Sequence, residues 1–132
     1  MSEKKGIIDI SELLTPPEKH ELMTAQFFAN MGKDVSFIRP SSIPEVYRPD
    51  ILMDGVEWEI KSPIGCGKKT IERNFRKAAM QSKFVIFDLR RIGINEDKCI
   101  SKLEREFEKR GIIKRILIIK KDGTLLEIPK KA

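Results

Sequence analysis

The sequence has 132 residues, of which 40% are hydrophobic and 35% are charged, a composition typical of one folded globular domain. It contains no apolar run near the roughly 20 residues that a membrane-spanning helix needs, and residues 1–10 lack the apolar segment of a signal peptide. We therefore expect a single domain over residues 1–132 that acts in the cytoplasm, without a secretion signal or a membrane partner.

Cysteine usage and charge narrow the expectation further. The two cysteines, Cys66 and Cys99, are too few for a disulfide framework and form no metal-ligand pair, which favours a reducing environment and leaves Cys66 without a role. Residues 1–60 carry six Lys and Arg against eleven Asp and Glu, whereas residues 61–132 carry twenty against nine. This asymmetry predicts a polyanion-binding surface beside a site that needs carboxylates, or simply an unevenly charged surface.

The predicted elements follow the order α-β-β-β-α-β-α-β-β, with residues 1–14 as an irregular N-terminal arm. The first helix begins at a capping box of Thr15 and Glu18, with Pro16 at its first position, and ends at Gly32. Two further helices and six strands follow, and the strands are expected at 35–38, 50–53, 56–61, 84–89, 116–119 and 125–128.

The two later helices are expected at 70–82 and, after an N-cap at Asn95, from residue 96 to a stop at Gly111. Alternating charges over residues 102–110 predict a solvated face on the last helix. A mixed central sheet flanked by helices, an α/β (α+β) fold, buries these segments most simply.

The central hairpin brings charged side chains together. With a two-residue turn at Asp54 and Gly55, Asp50 lies directly opposite Glu59, and strand alternation places Lys61 on the same face. Facing carboxylates repel unless a cation lies between them, and either Lys61 or a divalent metal can take that place. Carboxylate oxygens suit Mg²⁺ or Mn²⁺ better than Zn²⁺, and a neighbouring lysine can orient an attacking water. This is the chemistry of phosphodiester hydrolysis.

Two residues of the first helix add to this site. Glu21 lies on a largely apolar flank, where an acidic side chain needs a partner, so it is a candidate third metal ligand or a group that orients lysine or water. Alternatively, the helix N-terminus alone stabilises it. His20 is a candidate proton donor to a leaving oxygen, or only a polar surface residue.

These residues resemble the PD-(D/E)XK nuclease pattern, with Pro49-Asp50, then Glu59-Ile60-Lys61, and Glu21 on a preceding helix. Residues 20–91 are also similar to the C-terminal tRNA-nuclease domain of contact-dependent growth-inhibition toxins, in the stretches 20–35, 48–52, 58–63, 69–71 and 78–82. The resemblance implies a restriction-endonuclease-like core and the catalytic set Glu21, Asp50, Glu59 and Lys61, with Asp50 and Glu59 holding the metal. Such domains end very large secreted proteins, and a small stand-alone nuclease is equally compatible with this sequence, so toxicity and an immunity protein as partner are open possibilities.

Basic residues concentrate after the hairpin, where nine Lys and Arg lie between positions 61 and 91 against two acidic residues. The candidates to grip a phosphate backbone lie in and before the second helix: Lys68, Lys69, Thr70, Arg73, Arg76 and Lys77. Thr70 fits the N-cap of that helix equally well, and Gln81 either reaches the site or ends the helix. Aromatic residues fall mostly on core faces, so no base-stacking platform is expected.

The leading hypothesis is a metal-dependent endonuclease that uses Mg²⁺ or Mn²⁺ to cleave structured RNA such as tRNA. The runner-up is a DNA endonuclease of the same superfamily. From a different class, the alternative is a non-catalytic domain that binds nucleic acid or a protein partner.

Overall fold

The computed structural model describes residues 4–93 and 95–129. Seven strands form one mixed sheet in which neighbouring strands follow the order of the chain. The elements are β1 (Ile8–Asp9), α1 (Lys19–Asn30), β2 (Val35–Phe37), β3 (Ile51–Met53), β4 (Val56–Lys61), α2 (Lys68–Gln81), β5 (Phe84–Asp88), α3 (Glu96–Lys109), β6 (Arg115–Ile119) and β7 (Leu125–Ile128). The predicted α+β fold is confirmed, with β1 added to the predicted order. None of the helices within the described residues has the length and apolar content to cross a bilayer.

The sheet separates two apolar cores. β4, β5 and β6 are parallel, and α2 and α3 connect them by crossing one face of the sheet. Along β5, Val85 and Phe87 pack with α2 and α3, while Ile86 packs with α1 on the other face, so this strand is buried on both sides as predicted. Because β3 is antiparallel to β4, the start of β3 lies beside the carboxyl end of β4. That edge of the sheet carries the candidate site.

The start of α1 differs from the prediction. The helix begins at Lys19, and its N-cap Glu18 makes no side-chain capping bond. A residue that precedes proline is held in an extended conformation, so Pro16, which precedes Pro17, cannot be the first helical residue and Thr15 cannot be its N-cap. The predicted capping box is therefore wrong, whereas the stop is confirmed, since Gly32 has the positive φ of 92° that is common just after a helix.

The N-terminal arm contains a strand that the sequence pattern does not reveal. β1 pairs in parallel with β2, and the amide of Ile7 donates to Asp34 Oδ1 at 2.9 Å. A two-residue strand has no periodicity to detect, so the sequence pattern predicts an irregular arm over residues 1–14. Gly6 allows the close approach, because a Cβ at this position would lie 1.8 Å from the Lys33 carbonyl oxygen.

The two cysteines form a disulfide that joins the loop after β4 to α3. The expectation that Cys66 has no role is therefore wrong. The 33-residue separation of Cys66 and Cys99 gives no sign of pairing, because only the packing of α3 beside this loop brings them together. Lys102 of α3 strengthens the same junction by donating from Nζ to the Cys66 carbonyl at 2.8 Å.

One charged residue of α3 departs from the predicted solvated face. Asn95 caps the helix as predicted, accepting from the Asp97 amide at 2.8 Å. Glu106, however, is buried and pairs with Arg110 at 3.3 Å and with Lys109 at 3.7 Å. One carboxylate of this charged stretch is therefore buried, while its two basic partners remain accessible to water.

Candidate active site

The β3–β4 hairpin has the predicted register. Met53 pairs with Val56 and Ile51 with Trp58. Asp54 and Gly55 have positive φ values of 55° and 74°, as the two central residues of a type I′ turn require. This turn fixes which side chains of the hairpin meet.

Asp50 lies immediately before β3 and is held by backbone and side-chain bonds. Its amide donates at 3.0 Å to the carbonyl of Trp58, which is already the partner of Ile51, so two residues face one as in a β-bulge. Its Oδ2 accepts from the Ile60 amide at 2.8 Å. The predicted direct pairing of Asp50 with Glu59 is therefore wrong, although the rest of the hairpin has the predicted register. The two carboxyl groups approach each other through their side chains.

Three carboxyl groups meet at this edge of the sheet. Burial, followed by the charge of Asp50 and a hydrogen bond with it, raises the pKa of Glu21 to about 7. Burial, followed by the charge of Glu59 and a hydrogen bond with it, raises the pKa of Asp50 to about 7. Burial also raises the pKa of Glu59, against the lowering effects of Asp50 and Lys61. Glu21, Asp50 and Glu59 therefore form one carboxyl cluster, in which the pKa values of Glu21 and Asp50 are raised to about 7 and that of Glu59 is raised as well.

Lys61 pairs with one oxygen of Glu59 and leaves the other free. Lys61 Nζ lies 3.1 Å from Glu59 Oε2 and donates to Gln81 Oε1 at 3.3 Å. Glu59 Oε1 is buried, and among the described residues no group donates to it unless Asp50 carries a proton. Gln81 is the last residue of α2 and also accepts from Lys61, so both of the roles predicted for it as alternatives are present.

The cluster suits a hard cation that takes few protein oxygens. When Asp50 is ionised, the buried Glu59 Oε1 lies beside two further acids without a donor, and a positive charge stabilises such an oxygen. Within residues 4–93 and 95–129, no three His, Cys, Asp or Glu side chains form a complete metal-ligand set. Mg²⁺ commonly keeps several waters and binds through one or two carboxylates. The metal roles of Asp50, Glu59 and Glu21 remain predictions.

His20 contacts a different group. Its Nε2 lies 3.4 Å from Glu18 Oε2, and Glu18 is exposed. This contact directs the imidazole to the N-terminus of α1, so the fold lends no support to its predicted role as a proton donor.

The basic residues of α2 lie at the surface. Lys69, Arg73, Arg76 and Lys77 are exposed and recur at helical spacing, and we call these four residues the basic stripe. Within the described part of the chain, none of them forms an ion pair. Lys68 is also exposed, and Thr70 is partly buried.

The N-terminus of α2 differs in one respect from the prediction. Its N-cap is Gly67, so Lys68 and Lys69 belong to the first turn instead of a preceding loop. Thr70 is therefore not the N-cap. The helix runs from this turn to Gln81, so the basic stripe leads along α2 to the side chain that holds Lys61.

A buried polar cluster beneath α1 is absent from the sequence-based prediction. Thr24, one turn after Glu21, donates to Asp88 Oδ2 at 2.7 Å, and Arg90 donates to both oxygens of Asp88 at 2.9 and 2.7 Å. Burial alone would raise the pKa of Asp88, but the bonds from Arg90 and then Thr24 lower it. The available signal was an aspartate at the end of the otherwise apolar strand β5.

Comparison with known proteins identifies the family. The contact-dependent growth inhibition CdiA C-terminal domain matches residues 47–125, which include Asp50, Glu59, Lys61 and α2. No curated protein sequence gives a significant match. A solved structure, the CdiA-CT/CdiI toxin and immunity complex from Burkholderia pseudomallei, is similar in fold, with a TM-score of 0.66 and 18% identity over 93% of this chain and 98% of that chain. Because the family match spans more than half of the sequence, this chain belongs to the CdiA C-terminal toxin domain family.

Proposed function

We propose that this chain is a metal-dependent endonuclease of the PD-(D/E)XK type that cleaves structured RNA, with tRNA as the leading substrate. The family is one of toxins that often act as nucleases. The observation that carries the proposal is the buried Glu59 Oε1, which among the described residues has no donor once Asp50 is ionised, while Lys61 occupies the other oxygen of the same carboxylate. A binding domain has no need of such an arrangement, since unsatisfied buried carboxylate oxygens destabilise a fold.

Each residue of the site has a role in this proposal. Asp50 and Glu59 hold Mg²⁺ or Mn²⁺, and Glu21 is a third ligand or orients water beside them. Such an ion, when bound, supplies Lewis acidity and lowers the pKa of water. Lys61, positioned by Gln81, orients the attacking water and offsets negative charge that develops on the phosphate.

The proposed substrate follows from charge. The basic stripe supplies four exposed cations on the helix whose last residue, Gln81, holds Lys61, and lysine and arginine side chains of this kind bind phosphate backbones in a salt-dependent manner. Lys68 and Thr70 extend this surface to the N-terminus of α2, where anions are favoured. We propose RNA and not DNA as the substrate because the sequence resembles tRNA-nuclease toxin domains.

An immunity protein is the proposed protein partner. The similar solved structure is described as a toxin and immunity complex. A partner that covers an acidic metal site and the basic stripe together would block both cation and substrate binding.

The test is a cleavage assay with total tRNA and plasmid DNA, each in Mg²⁺ or EDTA. We expect the wild type to cleave tRNA only with Mg²⁺, and Asp50→Asn to lose at least about 100-fold of this activity. Asp54→Asn is the matched control, because it makes the same change at the exposed turn of the same hairpin. Cleavage of plasmid alone would favour the DNA endonuclease, and binding of either nucleic acid without cleavage would favour the non-catalytic domain.

A further inference from the structure

A small cavity of about 270 Å³ opens beside the carboxyl cluster. It is lined by Tyr47, Lys77, Met80 and Gln81. Tyr47 is the only tyrosine in the sequence, and its exposed fraction is 51%, while that of Met80 is 57%. An exposed aromatic ring and an exposed thioether on one cavity leave apolar surface in water, which commonly marks a binding site.

The cavity is connected to the proposed catalytic residues. Tyr47 and Gln81 also line an adjoining cavity of about 430 Å³ that contains Asp50. Gln81 in turn accepts from Lys61 Nζ at 3.3 Å. A ligand in the smaller cavity is therefore one side chain away from the lysine assigned to the reaction.

The loop that carries Tyr47 has a strained local turn on one side and a fixed attachment to β4 on the other. Glu45 adopts a positive φ of 64°, which is unfavourable for a residue with a side chain, and the Val46 amide donates to the Ile43 carbonyl at 3.2 Å. On the other side, Asp50 is fixed to β4. Strained loop conformations of this kind cluster at ligand sites, because the surrounding structure has to maintain them.

We propose that this cavity receives one unstacked nucleobase of the RNA, next to the phosphate that is cleaved. This inference rests on the proposed nuclease function and deepens it. Tyr47 stacks on the flat face of the base, Met80 packs against it, and Lys77 of the basic stripe contacts the adjoining phosphate. Because base-paired nucleotides keep their stacking, the site selects an unpaired position such as a loop or a bulge. This proposal departs from the expectation of no base-stacking platform.

The test measures binding separately from cleavage. The protein carries Asp50→Asn, and the probes are a labelled RNA hairpin with an unpaired loop and the same hairpin with abasic loop nucleotides. We expect about 10- to 100-fold tighter binding of the intact hairpin. Adding Tyr47→Ala reduces this ratio to near one, whereas Tyr47→Phe keeps it. Lys69→Ala is the control, because loss of a phosphate contact weakens binding of both hairpins equally.

The outcomes separate this inference from the nuclease proposal. A ratio that Tyr47→Ala leaves unchanged in a protein with unaltered melting temperature overturns the base-binding cavity, as does equal binding of both hairpins or no RNA binding at all. If the wild type cleaves RNA while the ratio is one, the nuclease proposal stands without the cavity. If the Tyr47-dependent ratio is found but the wild type cleaves nothing, the cavity stands as an RNA-binding site and the nuclease proposal fails.

Discussion

Asp50 lies at the centre of the carboxyl cluster, and its pKa has a direct consequence for stability. Burial and the charge of Glu59 raise the pKa of Asp50 from 3.8 to about 7. The folded chain therefore binds this proton more tightly than the unfolded chain, so the free energy of unfolding falls as pH rises from about 4 to 7. In the absence of divalent cations, the ionised form of this proposed metal ligand destabilises the fold.

The substitution Asp50→Asn removes this destabilising charge and keeps an oxygen that can accept from the Ile60 amide. We expect the variant to be more stable than the wild type by about 1–3 kcal/mol at pH 8 in EDTA, with the gain vanishing near pH 4. Urea unfolding at the two pH values measures the difference, with Asp54→Asn as the control. A variant less stable than the wild type at pH 8 would contradict repulsion within the cluster.

Lys61 is assigned to the reaction and not to the metal, and the two roles can be separated. Its ammonium contacts Glu59 Oε2 and Gln81, and an ammonium has no lone pair to offer a cation. We expect Lys61→Ala to abolish cleavage in single-turnover kinetics while retaining Mn²⁺ binding by calorimetry. Lys33→Ala, which removes an exposed lysine paired with Asp54, serves as the control. Full activity of Lys61→Ala would exclude the proposed mechanism.

Helix α1 carries Glu21, and beside its apolar packing on the sheet it makes a buried polar contact with the end of β5. Thr24 donates to Asp88 at the end of β5, and Arg90 holds the same carboxylate. The pKa of Asp88 is lower in the folded chain than in the unfolded chain. The ionised carboxylate therefore stabilises the fold fully at pH values above the ordinary pKa of aspartate, and this stabilisation is lost as the pH falls through the lowered pKa.

We expect Asp88→Asn to reduce the free energy of unfolding by about 1–3 kcal/mol at pH 7, because it weakens buried bonds to a charged group. The difference from the wild type should narrow in acid, where the wild type also loses the charge. Urea unfolding at pH 7 and pH 3 provides the measurement, and Asp54→Asn provides an exposed carboxylate for comparison. An equal reduction of the free energy of unfolding at both pH values would show that the substitution acts through altered packing and not through the lost charge.

At the scale of the whole molecule, the disulfide between Cys66 and Cys99 is a covalent cross-link between the loop before α2 and helix α3. A cross-link over 33 residues stabilises chiefly by restricting the unfolded chain. We expect dithiothreitol to lower the free energy of unfolding of the wild type by about 2–4 kcal/mol and to leave Cys66→Ala unaffected. Chemical unfolding with and without the reductant measures this. Equal stability of the oxidised and reduced wild type would mean that packing alone fixes α3.

The fold was predictable wherever local pattern and burial agree. The Asp54 and Gly55 turn fixed the hairpin register, and the apolar run of β5 indicated a doubly buried strand. Contacts between distant segments were not predictable, because no local pattern encodes them. The Cys66–Cys99 bond, the contact of Thr24 with Asp88 and the pairing of β1 all depend on how the helices and strands pack together.

The candidate site was predicted in composition but not in geometry. Glu21, Asp50 and Glu59 form one cluster, as their strand and helix positions implied. The bulge at Asp50 and the bond between Lys61 and Gln81 depend on tertiary packing, which the period of a strand does not contain. Tyr47, in an irregular loop, offered no periodic signal at all.

Metal binding by the carboxyl cluster is the central claim, and calorimetric titration with Mn²⁺ tests it most directly, without reference to any substrate. We expect the wild type to bind Mn²⁺ and to melt at a higher temperature in its presence, because a ligand of the folded state stabilises it. Asp50→Asn and Glu59→Gln should bind far more weakly, whereas Asp54→Asn should match the wild type. No binding by the wild type, or equal binding by Asp50→Asn, would contradict the account.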